Sequence, residues 1–185
     1  MSSDVEKSFT GRLKYMHSKN TRRAAVNFNK LQEVGMADGS GAIPKATKSE
    51  YLCANTYDPE GALLYFRFVK NCYVIYSRDK NQHYGKPLYM YGNYLCPGDS
   101  SSNFDIGIYN DQYQKQTMFD LSTVPAESNS VKISLNSLEK GIIGVYEEVN
   151  AAGFWWGYLY ASGVKDGVGF ELTIVERNVD WVSKG

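Results

Sequence analysis

The chain is 185 residues long, a size at which one domain buries enough surface to fold without disulfide or metal staples. Hydrophobic residues make up 43% and aromatics 14%, with 15 tyrosines, which excludes an intrinsically disordered chain. Twenty Lys and Arg are matched by 20 Asp and Glu, which excludes a strong whole-molecule attraction for nucleic acid or anionic membrane. The balance is nevertheless uneven along the chain. Residues 1–50 hold nine Lys/Arg against five Asp/Glu, residues 51–115 six of each, and residues 116–185 five against nine, giving +4, 0 and −4. A basic front and an acidic back are either two solvated faces or the two halves of a head-to-tail contact between like chains.

The first residues, Met1 to Lys7, contain no apolar run of the kind a secretory leader needs. No stretch approaches the roughly 20 apolar residues that cross a bilayer. A protein that matures inside a cell is therefore expected. Arg12, Lys14, His17, Lys19, Arg22 and Arg23 follow within 12 residues, with one tyrosine and no acid. Residues 1–23 are read as a short basic N-terminal segment ahead of a single all-β domain over 24–185. Several cations on one segment are what phosphate contact requires, because affinity comes from released counterions. Arg12, Lys14, Lys19, Arg22 and Arg23 are thus the candidates for contact with nucleic acid or an acidic surface. The same segment also reads as an exposed edge strand guarded by lysine.

Residues 22–34 fit a short helix or a strand, and Gly35 to Lys48 reads as a loop. Beyond it the apolar period is close to two. Leu64, Phe66 and Phe68 share one face of a strand, Asn71-Cys72 a bend, and Tyr73 to Tyr76 the next strand. Val131 to Leu135 and Phe170 to Arg177 alternate apolar with polar, and Ser134 to Lys140 has room for one helical turn. Asp38-Gly39, Pro59-Glu60-Gly61, Pro97-Gly98-Asp99 and Asp166-Gly167 are turn signals, since glycine supplies positive φ. Trp155–Ala161 and Val168–Arg177 flank a six-residue turn segment, Ser162 to Gly167, as a closing hairpin. Nine or ten short strands predict one all-β domain, a jelly roll or antiparallel β-sandwich.

The chemistry-bearing residues are few. His17 and His83 are the only histidines, and no nucleophile elbow, P-loop, dinucleotide fingerprint or zinc spacing occurs. His83 sits in a polar loop. Asp99 to Asp105 offers oxygen ligands for a cation or is simply a polar loop, lacking the glycine and terminal glutamate of an EF-hand. Glu147 and Glu148, as strand neighbours, face opposite ways and cannot share a site. Cys53, Cys72 and Cys96 form no CxxC pair and no complete disulfide framework. No enzyme, cofactor or metal is expected.

The aromatic run is more informative. Phe154-Trp155-Trp156-Gly157-Tyr158-Leu159-Tyr160 is accompanied by Tyr89, Tyr91 and Tyr94 in another strand. Alternation cannot bury both Trp155 and Trp156 on one face. Either one tryptophan points outward, suiting a sugar, a lipid interface or a subunit contact, or a further segment covers the outer face. Phe154, Trp155, Trp156 and Tyr158 are the candidates for interface or ligand stacking.

Gly157 to Val164, followed by Gly169-Phe170-Glu171-Leu172-Thr173-Ile174-Val175-Glu176-Arg177, resembles the closing strand pair of single jelly-roll coat proteins of small RNA viruses. The basic segment before the β-domain fits the same layout. The resemblance implies a self-assembling, non-enzymatic virion coat or shell subunit, located in the virion and host cytoplasm, whose basic segment faces a viral nucleic acid. The composition alone also fits a carbohydrate-binding or membrane-binding β-sandwich, of the small lectin or pore-forming toxin type, using exposed Trp and Tyr. A hydrolase with carboxylates assembled by the fold is the third reading.

Overall fold

A computed structural model describes residues 4–16, 23–108, 117–161 and 169–181, with backbone alone at 117 and 147–149. Thirteen strands run in order: β1 (Phe9–Met16), β2 (Arg23–Gly35), β3 (Ala42–Asn55), β4 (Leu64–Val69), β5 (Cys72–Ser77), β6 (Leu88–Tyr91), β7 (Tyr94–Pro97), β8 (Phe104–Ile108), β9 (Thr117–Met118), β10 (Ser130–Ser137), β11 (Gly141–Ala151), β12 (Phe154–Ala161) and β13 (Gly169–Arg177). The only helical piece among the described residues is one 3-10 turn, Leu121–Thr123, started by the Asp120 carboxylate accepting from the Ser122 backbone N–H. The fold is all-β and antiparallel, of the β-sandwich type. Pairing runs from β11 through β10, β8, β5, β4, β1, β2 and β3 to β12, which pairs β11 again and closes the circuit. β13 spans this circuit, with β1 on one edge and β10 on the other.

One continuous core fills the interior, drawing Phe9 and Leu13 from β1, Phe28 from β2, Leu64 and Phe66 from β4, Leu159 from β12, and Phe170 and Leu172 from β13. Phe9 stacks on Phe66 with ring centroids 4.7 Å apart, and Tyr15 stacks on Trp155 at 5.6 Å. Each such side chain contributes about 1.5–3 kcal/mol by leaving water. The chain end is tied down as well. The Tyr65 hydroxyl donates to the Val179 carbonyl at 2.9 Å, and Trp181 packs against Tyr65, Tyr76, Tyr84 and the Arg78 guanidinium.

The periodic strands sit where alternation puts them: β4, β10 and β13 bury their alternating apolar residues, while β5 is buried on both faces. The bend after β4 is tighter than expected, at Lys70-Asn71, both with positive φ, and Cys72 already belongs to β5. Four expectations are corrected. Residues 9–16 are not part of a segment ahead of the domain; β1 pairs β13 along its length, β4 at its start and β2 at its end, with Phe9 and Leu13 in the core. Residues 23–35 take the strand alternative, whereas most of the expected loop 35–48 is strand β3. Ser134 to Ser137 is strand, not helical turn. Finally, β12 and β13 do not form a hairpin: β12 pairs β11, β3 and β7, whereas β13 pairs β1 and β10. Both segments read as strands, yet each has its partners elsewhere. The predicted turn 162–167 lies outside the described residues.

Candidate functional site

β12 alternates its side chains between two faces. Trp155, Gly157, Leu159 and Ala161 are buried, and Phe154, Trp156, Tyr158 and Tyr160 occupy the outer positions, every one of them aromatic. The neighbouring strands add to this outer face. Register places Tyr146 of β11 opposite Tyr158, and Tyr94 of β7 opposite Tyr160. Tyr91 lies opposite Tyr94 on β6, with Tyr89 two residues back on the same side. Tyr51 of β3 completes the group, 5.3 Å from Tyr94 and 5.5 Å from Tyr158 by ring centroid. Tyr160 packs on Tyr94 at 5.1 Å and on Tyr146 at 4.8 Å, and Tyr158 on Trp156 at 5.0 Å. Most pairs meet edge to face, the arrangement the ring quadrupole favours. The result is a corrugated surface of seven tyrosines, half-buried for the most part, with Tyr91 and Tyr146 exposed.

The polar fittings of this surface are sparse. The Asn93 amide donates to the Tyr160 hydroxyl at 2.8 Å. The Tyr89 phenol is held above its ordinary pKa, by burial first and then by Cys96, Tyr91 and Tyr51 beside it. Tyr89 lies flat against Gly98, where any Cβ would strike its ring. β6, β7 and β12 contain no Asp, Glu, Lys, Arg or His at all.

The stacking candidates therefore separate. Trp155 and Trp156 are both buried, at 6% and 8% exposure, so neither is an outward platform. Trp155 belongs to the main core. Trp156 does face the other way, as alternation demands, but Leu31 of β2, Cys53 of β3 and Ala151 close over it as a small second core. Phe154 is half-buried against Tyr57, 5.3 Å away, and Tyr158 is half-buried within the tyrosine surface. Tyr51, Tyr146 and Tyr160 were not singled out as stacking candidates; the outward alternation of β12 was the signal that could have found Tyr160.

The second outward feature is the ribbon formed by the far halves of β2 and β3. Asn29 to Gly35 pairs with Ala42 to Lys48, and Met36 to Gly41 closes the turn. Asp38 accepts from the Ser40 hydroxyl and N–H, which keeps its carboxyl below the usual range, and Gly39 takes the positive φ. From Gln32 to Lys48 no side chain is buried, and Val34, Met36 and Ile43 are 40%, 42% and 48% exposed. Val34 and Ile43 are direct cross-strand partners, so they share one face. The ribbon's other face is held at its base by Leu31 in the second core and by Glu33 accepting from the Ala152 N–H. Where the ribbon leaves the body, a buried amide network fixes the backbone. Asn55 donates to the Asn27 Oδ1 at 2.8 Å and to the Asn29 carbonyl at 3.1 Å, while its own Oδ1 accepts from Tyr57 and Asp58.

The basic candidates do not form one free patch. Arg23 ion-pairs with Glu171 at 2.7 Å, and Lys14 lies opposite Glu171 in the β1–β13 register. Arg12 donates to the Gly61 carbonyl and stands 4.0 Å from Glu60. The front of the chain thus meets its own acidic back across β1 and β13. Lys19 and Arg22, with His17, lie outside the described residues, as do the side chains of Glu147 and Glu148.

The remaining candidates resolve as structural parts. Half-buried His83 stands 3.2 Å from the Ser49 carbonyl and packs on Phe28. Asp99 ion-pairs with Lys86, and no His, Cys, Asp or Glu cluster among the described residues is arranged to hold a metal. Asp58 accepts from the Glu60 and Gly61 N–H groups to cap its turn. Burial pushes the Cys53 thiol up to about 12 and the Cys96 thiol to about 11, which makes both poor nucleophiles at neutral pH. Among the described residues no helix is long and apolar enough to cross a membrane. Comparison with known protein families, curated proteins and solved structures returns no match for this chain.

Proposed function

We propose that the protein is a non-enzymatic structural subunit that assembles with copies of itself, most concretely a coat or shell subunit of a virion. The observation that carries this reading is the β2–β3 ribbon, exposed from Gln32 to Lys48 with Val34, Met36 and Ile43 at its far end. A two-stranded ribbon alone is at best marginally stable in water. Exposed apolar residues grouped at the end of an arm mark an interaction site more often than idle surface. Pro44, Lys45 and Lys48 on β3 are the residues that discourage indiscriminate edge pairing. An arm that is protected along its edge and apolar on its face suits docking by that face on a defined surface of a neighbour. Of the described candidates, Arg23 is engaged by Glu171 and Arg12 by Glu60 and Gly61, so contact with nucleic acid is a minor part of the reading and falls to Lys14, Lys19 and Arg22. Negative-stain imaging of purified protein tests it: closed or regular particles are expected, and isolated 20.8 kDa monomers at high concentration would end it.

A further inference from the structure

The tyrosine surface over β12, β11, β7, β6 and β3 has no part in the ribbon, and its chemistry is specific. From its composition and geometry we infer that it is a binding site for an extended, uncharged polysaccharide. Rings supply apolar faces for the C–H faces of sugars, and phenolic hydroxyls between them supply donors and acceptors for sugar hydroxyls. Three of the five contributing strands, β6, β7 and β12, lack any charged side chain, and the charges felt at the surface's edge, Asp99 at Tyr89 and Glu50 at Cys96, are carboxylates, which would repel a sulfate, phosphate or uronate. A neutral ligand is the complementary one. Lipid is disfavoured by the same inventory, because no lysine or arginine on these three strands would meet a headgroup.

The extent of the surface argues for a chain of sugars over a single one. Contacts run from Tyr158 to Tyr94 and Tyr51, then through Tyr160 to Tyr146. They form an extended, ridged face among the described residues. A lone ring contact is weak; linked sugars engaging several rings gain by effective concentration. The rings are also preorganised, each braced by its neighbours' edges, and Tyr160 is further fixed by Asn93.

Retention of the full-length protein on insoluble neutral polysaccharides (cellulose, chitin and a β-1,3-glucan), together with soluble mono- and disaccharides as competitors, tests this. Tyr94→Ala and Tyr160→Ala are each expected to weaken retention about tenfold, a loss of one ring contact. Tyr84→Ala, which touches only the Trp181 cluster, is expected to change nothing. Thermal melts of every variant establish folding, and Tyr160→Phe, which keeps the ring, should retain most of the binding if a global defect is not responsible. The inference is overturned if no neutral polymer is retained, if retention is unchanged in Tyr94→Ala, or if simple sugars compete as well as polymer. It is also overturned if an acidic polymer or neutral phosphatidylcholine vesicles bind better, or if Tyr94→Ala alters particle formation instead of retention.

Discussion

At Asn55 four hydrogen bonds converge on one fully buried amide, two donated and two accepted. Such a network is worth most when complete, because each partner left behind keeps its desolvation cost. Asn55→Ala is expected to destabilise the fold by about 3 kcal/mol in urea unfolding, against less than about 0.5 kcal/mol for the exposed Asn81→Ala. Cys53 gives a second residue-level test. Its folded pKa is pushed to about 12 from an ordinary value of 9.0, with burial as the main cause. A raised folded pKa means the contribution is complete below pH 9.0 and is lost as pH rises toward 12. Wild type should therefore lose stability across that window, and Cys53→Ala should lose less of it; parallel curves would show that the thiol is not the titrating group. Residue-scale reading of the sequence recovered the opposition of Trp155 and Trp156. It could not recover the cover over Trp156, because Leu31 lies 125 positions away in the sequence and meets it only through folding.

Among the elements, β4, β10 and β13 were legible from a period of two in their residues, and β5 as a short β-branched and aromatic run, Tyr73 to Tyr76, buried on both faces. β3 was not, because Ala42 to Lys48 is solvated on both sides and rich in Ala, Pro and Lys, which carry no alternation. Strand pairing was legible least of all. Proximity in sequence put β12 beside β13, but β13 needs two partners and finds them in β1 and β10. At the β1–β13 seam, Gly11 marks a register shift where a Cβ would meet the Leu172 Cδ1 at 2.8 Å and the Thr173 carbonyl oxygen at 2.9 Å. Gly11→Ala is expected to cost about 1–3 kcal/mol by overpacking this seam, whereas Gly35→Ala, with open space around it, should be near neutral. Equal effects of the two on thermal unfolding would mean the seam yields. The seven-tyrosine surface was half legible, since β12 spells out its outer positions while the arrival of Tyr51 and Tyr146 depends on folding.

Over the whole molecule, part of the front-to-back charge asymmetry is paired inside one chain, at Arg23–Glu171 on the β1–β13 side. The assembly reading rests on the apolar end of the ribbon. Particle formation should accordingly survive high salt, because apolar burial is not screened. The most direct measurement is sedimentation velocity over a range of protein concentrations, wild type against the double substitution Val34→Asp with Ile43→Asp. Both residues are exposed, so the variant should keep the wild-type melting temperature within a few degrees. Wild type is predicted to sediment as large, discrete particles and the variant as folded single subunits. A wild type that stays monomeric at every concentration, or a variant that assembles as wild type does, would contradict the account.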